Sequence, residues 1–270
     1  PLHQPMVLDW LPFSDHPQVA AACYHAWAIC LRGDYRRAEQ QIEATIRLAE
    51  SIKHPGSLAM SLVFAAALYR QLGHVHLAGA RAERAFELTS TPDLQLWHCA
   101  AQSALGWCKA MNGDPEGLTL IENSMEQVTE ATGQDRYQRA LLWYGDACLA
   151  LHDDARAEEY LDQCLIMARE RNSLYLPELT LQMVRARHAL GHAPDDVRRL
   201  AAEAYRVACE QENRHHQLYA CEVWLTLIDA HDDDVRRRFR RLLGQVALSD
   251  APMLVRWRTQ LDRVLGEPQH

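Results

Sequence analysis

The stretch VAAACYHAWAICLRGDYRRAEQQIEATIRLA (residues 19–49) decides the fold. Before Gly33, the apolar residues Val19, Cys23, Ala26, Trp27, Cys30 and Leu31 step by three and four. After it, Ala38, Ile42, Thr45, Ile46 and Ala49 do the same. That spacing lines the apolar side chains along one stripe of a helix. Between the two runs stands Gly33-Asp34, and glycine enters the left-handed region that ends a helix without steric cost. The stretch therefore reads as two amphipathic helices joined by a tight turn.

The same turn returns along the chain. Gly73-His74 and Gly113-Asp114 follow at steps of 40, and Asp153-Asp154 continues the phase. Gly191-His192 comes after 38 residues and His231-Asp232 after another 40. Breakers mark the opposite boundary at His54-Pro55, Thr91-Pro92, Thr132-Gly133 and Asn172-Ser173. The period predicts a first helix (A) over 17–32, 56–72, 94–111, 135–151, 174–190 and 215–230. It predicts a second (B) over 35–52, 75–89, 115–131, 154–171, 194–211 and 233–247, with a last helix near 252–265. No strand signal interrupts the pattern. One helix pair cannot bury its own apolar face, whereas stacked pairs share a continuous core. The fold class is all-α, a tetratricopeptide-like solenoid of six repeats with a C-terminal capping helix. Its period exceeds the usual repeat of about 34 residues. Residues 1–14 read as a linker or N-terminal extension, 15–248 as the superhelical domain, and 249–270 as the cap and tail.

Bulk properties fit this reading. Of 270 residues, 48% are hydrophobic and 24% charged, as in a globular protein that buries a core. A net charge of −8 supplies no basic stripe for nucleic acid. No run of about 18 apolar residues is present, so no membrane helix is expected. Residues 1–17 lack the pattern of a signal peptide, and a chain opening on Pro1 reads as part of a longer or processed protein. The eight cysteines contain no Cys-x-x-Cys pair and are irregularly spaced, which suits a reducing, cytoplasmic setting.

Three segments, DHPQVAAACYHAWAICLRGD (15–34), HPGSLAMSLVFAAALYRQLG (54–73) and LWHCAAQSALGWCKAMNG (96–113), resemble the C-terminal tetratricopeptide region of bacterial signal-transduction ATPases. AWAICLRGD and GWCKAMNGD carry most of that resemblance, which extends over about residues 15–190. It implies a sensing or partner-binding region attached to an ATPase and an output domain, either a cyclase or a DNA-binding regulator. This chain has no Gly-x-x-x-x-Gly-Lys-Ser/Thr loop of its own to cradle phosphates.

Little in the sequence calls for catalysis. Cys108 and Cys148 share a repeat position with Ala28, Leu68 and Ala186, which marks a small apolar packing site. His74 with His76, His188 with His192, and His215-His216 do not assemble the three or four convergent ligands that zinc requires, and read as surface or turn histidines. The run from Asp232 to Arg241 complements a helix dipole, acids first and bases later. Acidic pairs such as Glu158-Glu159 read as solvated charges. The expectation is a non-enzyme without cofactor or metal.

The informative signal is aromatic placement. Trp27, Trp97, Trp107, Trp143 and Trp224 all fall on A helices, which line the concave face in the resembled family. Tyr24, Tyr69, Arg70, Trp97, Arg139, Trp143, Tyr144 and Arg185 are the candidates for a recognition groove, because aromatics and arginines dominate binding hot spots. Trp27 and Trp107, each six residues before a turn glycine, read as packing residues. The groove would take a protein or peptide partner or a small effector, with no direct role for nucleic acid or membrane. A homo-oligomerisation or autoinhibitory scaffold for an attached ATPase domain, or a stand-alone adaptor, is the alternative.

Overall fold

The computed structural model describes residues 15–127, 134–171, 173–246 and 249–265, with the side chains of 134–141 and 264–265 excepted. Residues 1–14, expected as an extension, lie outside it. Six antiparallel pairs run in order: α1 (Pro17–Leu31) with α2 (Tyr35–Ile52), α3 (Pro55–Leu72) with α4 (Val75–Leu88), α5 (Gln95–Met111) with α6 (Glu116–Gln127), α7 (Gln134–Ala150) with α8 (Asp154–Glu170), α9 (Leu176–Ala189) with α10 (Pro194–Glu210), and α11 (Arg214–Leu227) with α12 (Asp233–Leu243). A final helix, α13 (Pro252–Leu265), follows, and no strand occurs among the described residues. The third pair begins one residue later than the pattern predicts, because Pro92–Leu94 winds as a short 3-10 turn.

Local chemistry sets these boundaries. Gly33, Gly73, Gly113 and Gly191 take φ of 88°, 80°, 81° and 74°, the left-handed turns that the period placed there. The fourth turn has no glycine, and His152 adopts φ 60° in its place. Asp34, Asp153 and Asp232 cap the following B helices by accepting from the N–H of Arg37, Arg156 and Val235. The B helices bury one stripe, which in α2 is Tyr35, Ala38, Ile42, Thr45, Ile46 and Ala49. The A helices are flanked by B helices and by neighbouring A helices, so α3 is buried almost all round.

Neighbouring pairs pack in sequence order, as a solenoid must. Two further contacts define the molecule's shape: α11 touches α1, and α13 touches α3. The stack has completed one superhelical turn, so its sixth repeat meets its first. At this seam Arg214 Nη1 donates to the Arg32 carbonyl at 2.8 Å, and the Tyr35 and His215 rings lie 5.8 Å apart. α13 packs on α11 and α12 like the A helix of a seventh, half-formed repeat. Its start, Pro252 and Met253, abuts Gly73 across the seam. The concave face expected as a groove therefore encloses a lumen.

Candidate functional site

The lumen is lined by A helices, and its residues are unusually polar for a helical core. Arg70 and Gln71 on α3 reach across it. Arg70 donates to Glu178 on α9 and, at 3.3 Å, to Asp146 on α7, while its guanidinium lies 5.1 Å from the Trp143 ring centroid. Asp146 also accepts from Trp107 Nε1 at 2.8 Å and from Arg185 Nη1 at 3.4 Å. Gln71 Nε2 donates to Glu178 Oε2 at 2.8 Å, which orients its amide oxygen toward His215 Nε2, 2.9 Å away. Because that oxygen only accepts, His215 carries its hydrogen on Nε2, and its Nδ1 faces the Tyr35 hydroxyl at 3.3 Å.

The network sets its own charge states. Burial alone would raise the pKa of the Glu178 carboxyl, but the Arg70 guanidinium and His216 outweigh it and hold Glu178 well below the usual carboxylate range. His216 Nε2 stands 3.6 Å from Glu178 Oε2. Burial, reinforced by the nearby Arg70 guanidinium, drives His215 well below the ordinary histidine value, and Glu178 opposes the shift. Arg70 keeps its charge because Glu178 and Asp146 offset its desolvation. His215 and His216, which the sequence suggested were surface residues, are thus buried parts of the lumen.

Beside this network the lumen opens into a cavity of about 390 Å³. Its walls include Arg70, Trp107, Asp146, Gln182, Arg185 and Tyr219 from successive A helices, and Met253, Arg256 and Trp257 from α13. Glu222 on α11 fixes the α13 wall. It accepts from Arg256 Nε at 2.7 Å, from Arg256 Nη2 at 3.1 Å and from Trp257 Nε1 at 2.7 Å. The cavity offers charged and aromatic groups on rigid helices and, among the described residues, no grouping of a nucleophile with a base. It is suited to binding.

Of the sequence candidates, Arg70 and Arg185 line this cavity, and Trp143 supports it from behind through Arg70 and the Trp107 ring, 5.4 Å away. Four others lie elsewhere. Tyr24 is 59% exposed with its ring edge-on to Phe64, and Tyr69 turns toward α2, donating to Glu43 at 2.7 Å. Trp97 donates to Asp15 at 3.1 Å, and Tyr144 donates to Glu122 and packs on Tyr160. The Arg139 side chain lies outside the described residues. Asp146, Glu178, Gln182 and Tyr219 were missed, since acids and amides on A helices resemble ordinary solvated residues in sequence. Trp107 had a legible signal. It sits six residues before Gly113, as Arg185 sits six before Gly191, so one repeat position supplies two cavity residues.

No family model matches the chain, and no curated protein matches it in sequence. Solved structures do match. A Rap protein complexed with competence and sporulation factor superposes with a TM-score of 0.69 at 14% identity, covering 92% of this chain and 70% of that one. Bacillus thuringiensis PlcR in complex with the peptide PapR7 and DNA gives 0.62 at 13% identity, covering 78% and 76%. The apo form of RapI gives 0.57 at 9% identity, covering 91% and 99%. At these identities the likeness is one of fold, and by fold the chain is a tetratricopeptide-like helical-repeat solenoid.

Proposed function

We propose that this chain is a non-catalytic recognition module whose lumen cavity receives a peptide, a segment of a partner protein or a small effector. The observation that carries the reading is the convergence of charged and aromatic side chains from five A helices and α13 on one cavity of about 390 Å³. Two structural neighbours, the Rap protein and PlcR, were each solved with a bound factor or peptide, which favours a peptide-class ligand. The resemblance of residues 15–190 to signal-transduction ATPases supports a place beside an ATPase and an output domain in a bacterial, cytoplasmic signalling or transcription regulator. The free, mostly buried cysteines are consistent with a reducing compartment. In this reading the module senses and the attached domain responds.

A cavity-filling variant tests it. Ala150 lines the cavity and makes no side-chain hydrogen bond, so Ala150→Trp fills space without breaking the polar network. Peptides selected from a random library on the unaltered protein should bind Ala150→Trp at least about tenfold more weakly, through lost cavity access. Its melting temperature should be preserved. Equal binding to both proteins would place recognition elsewhere.

A further inference from the structure

A second cleft, of about 330 Å³, opens where the superhelix closes on itself, and it shares no lining residue with the lumen cavity. Arg32 enters it from the end of α1, Cys209 and Glu212 from around the end of α10, Arg214 from the start of α11, and Arg241 from the last turn of α12. The first repeat and the sixth therefore share its wall. Arg214 is a fixed part of that wall. Its Nη1 donates to the Arg32 carbonyl at 2.8 Å, and a Cβ added at Gly33 would lie 3.3 Å from its Cδ, so its stem runs close along the first turn.

The cleft gathers positive charge in a chain whose net charge is −8. Three arginines line it against one carboxylate, Glu212. Glu212 pairs with Arg32 at 3.3 Å, but the two side chains are 68% and 71% exposed, and so open a pair contributes little. Arg241 makes no hydrogen bond or ion pair among the described residues. The C-terminal ends of α1, α10 and α12 each offset at most about half a unit of charge, the N-terminus of α11 acts in the opposite sense, and a positive surplus remains. Guanidinium groups meet oxyanions through charge-assisted hydrogen bonds. A planar carboxylate satisfies one guanidinium edge, whereas a tetrahedral dianion presents oxygens to several arginines at once. The volume also leaves room for the group that carries such an anion.

We propose that this seam cleft binds a phosphate monoester, held by Arg32, Arg214 and Arg241. Because those arginines come from the first and sixth repeats, the bound phosphate ties the two ends of the superhelical turn together and favours the closed form. This reading and that of the lumen cavity stand or fall separately.

Cys209 supplies the readout. It lines the cleft and is the one exposed cysteine of the eight, so its alkylation by iodoacetamide, followed by peptide mass, reports on occupancy. On the whole chain, inorganic phosphate should slow this reaction saturably, by at least about threefold relative to chloride at equal ionic strength, since a bound anion covers the thiol and disfavours its thiolate. Acetate should give no such protection. Arg241→Gln, which removes no bond of the fold, should raise the half-protecting phosphate concentration at least about tenfold by deleting a charge-assisted pair. Two carriers separate the sources of the phosphate. Stronger protection by ribose 5-phosphate than by N-acetyl-O-phosphoserine amide would uphold the site and assign it to a small metabolite, and the reverse order would uphold it for a phosphorylated protein segment. Equal rates in phosphate and chloride would overturn the proposal. So would protection by acetate equal to that by phosphate, or protection that Arg241→Gln leaves unchanged.

Discussion

His215 shows how much a single lumen residue governs. It joins α11 to Tyr35 at the start of α2 and to Gln71 on α3, and it packs 5.4 Å from the Trp257 ring. Its folded pKa is depressed, so above the ordinary value of 6.5 both folded and unfolded chains hold it neutral. Below that value the unfolded chain takes up a proton that the folded chain refuses, and stability falls with pH by up to about 1.4 kcal/mol per unit for this group. Glu178 acts lower down. Its folded pKa is also depressed, so its contribution is complete above 4.5 and is lost only as pH falls below that value. Thermal unfolding followed from pH 8 to pH 5 should show a loss beginning near 6.5, and His215→Gln should flatten it. An unchanged slope in the variant would mean that His215 is protonated in the fold. None of this could be read in the sequence. His215-His216 is a pair of polar residues on a helix, and only the return of the superhelix buries it.

At the scale of elements the sequence was far more open. Gly33, Gly73, Gly113 and Gly191 stand where each A helix must stop, and the structure gives each the positive φ that only glycine adopts freely. The stripe Ala38, Ile42, Thr45, Ile46, Ala49 is the buried face of α2. These features are local, and local rules suffice to read them. Helix-to-helix approach is not local. α5 and α6 cross at Gly106 and Gly117, where a Cβ on Gly106 would lie 2.5 Å from the Gly117 carbonyl oxygen. Neither glycine broke the helical period in the sequence, so neither was singled out. Gly117→Ala should lower stability by about 1–3 kcal/mol, the usual cost of overpacking, despite alanine's better helix propensity. Chemical denaturation measures it, and a stabilised variant would refute the close crossing.

The whole molecule is one superhelical turn closed on itself. Closure follows from a small rotation accumulated over six pairs, a quantity no single repeat displays. That is why the repeat number and helix order were legible while the lumen was not, and why a concave groove was the natural expectation. Closure also explains the site. It brings α13 over α3, encloses Arg70 between Asp146 and Glu178, and leaves the cavity that Arg185 and Gln182 face. The most direct test is a through-space NMR contact between the rings of Tyr35 and His215, separated by 180 residues in sequence and by 5.8 Å between centroids. With tyrosine and histidine selectively labelled, the closed turn predicts a cross-peak between these two rings that disappears in Tyr35→Leu. Resolved signals from both rings with no cross-peak between them would mean an open solenoid, and would contradict the closed lumen on which the cavity depends.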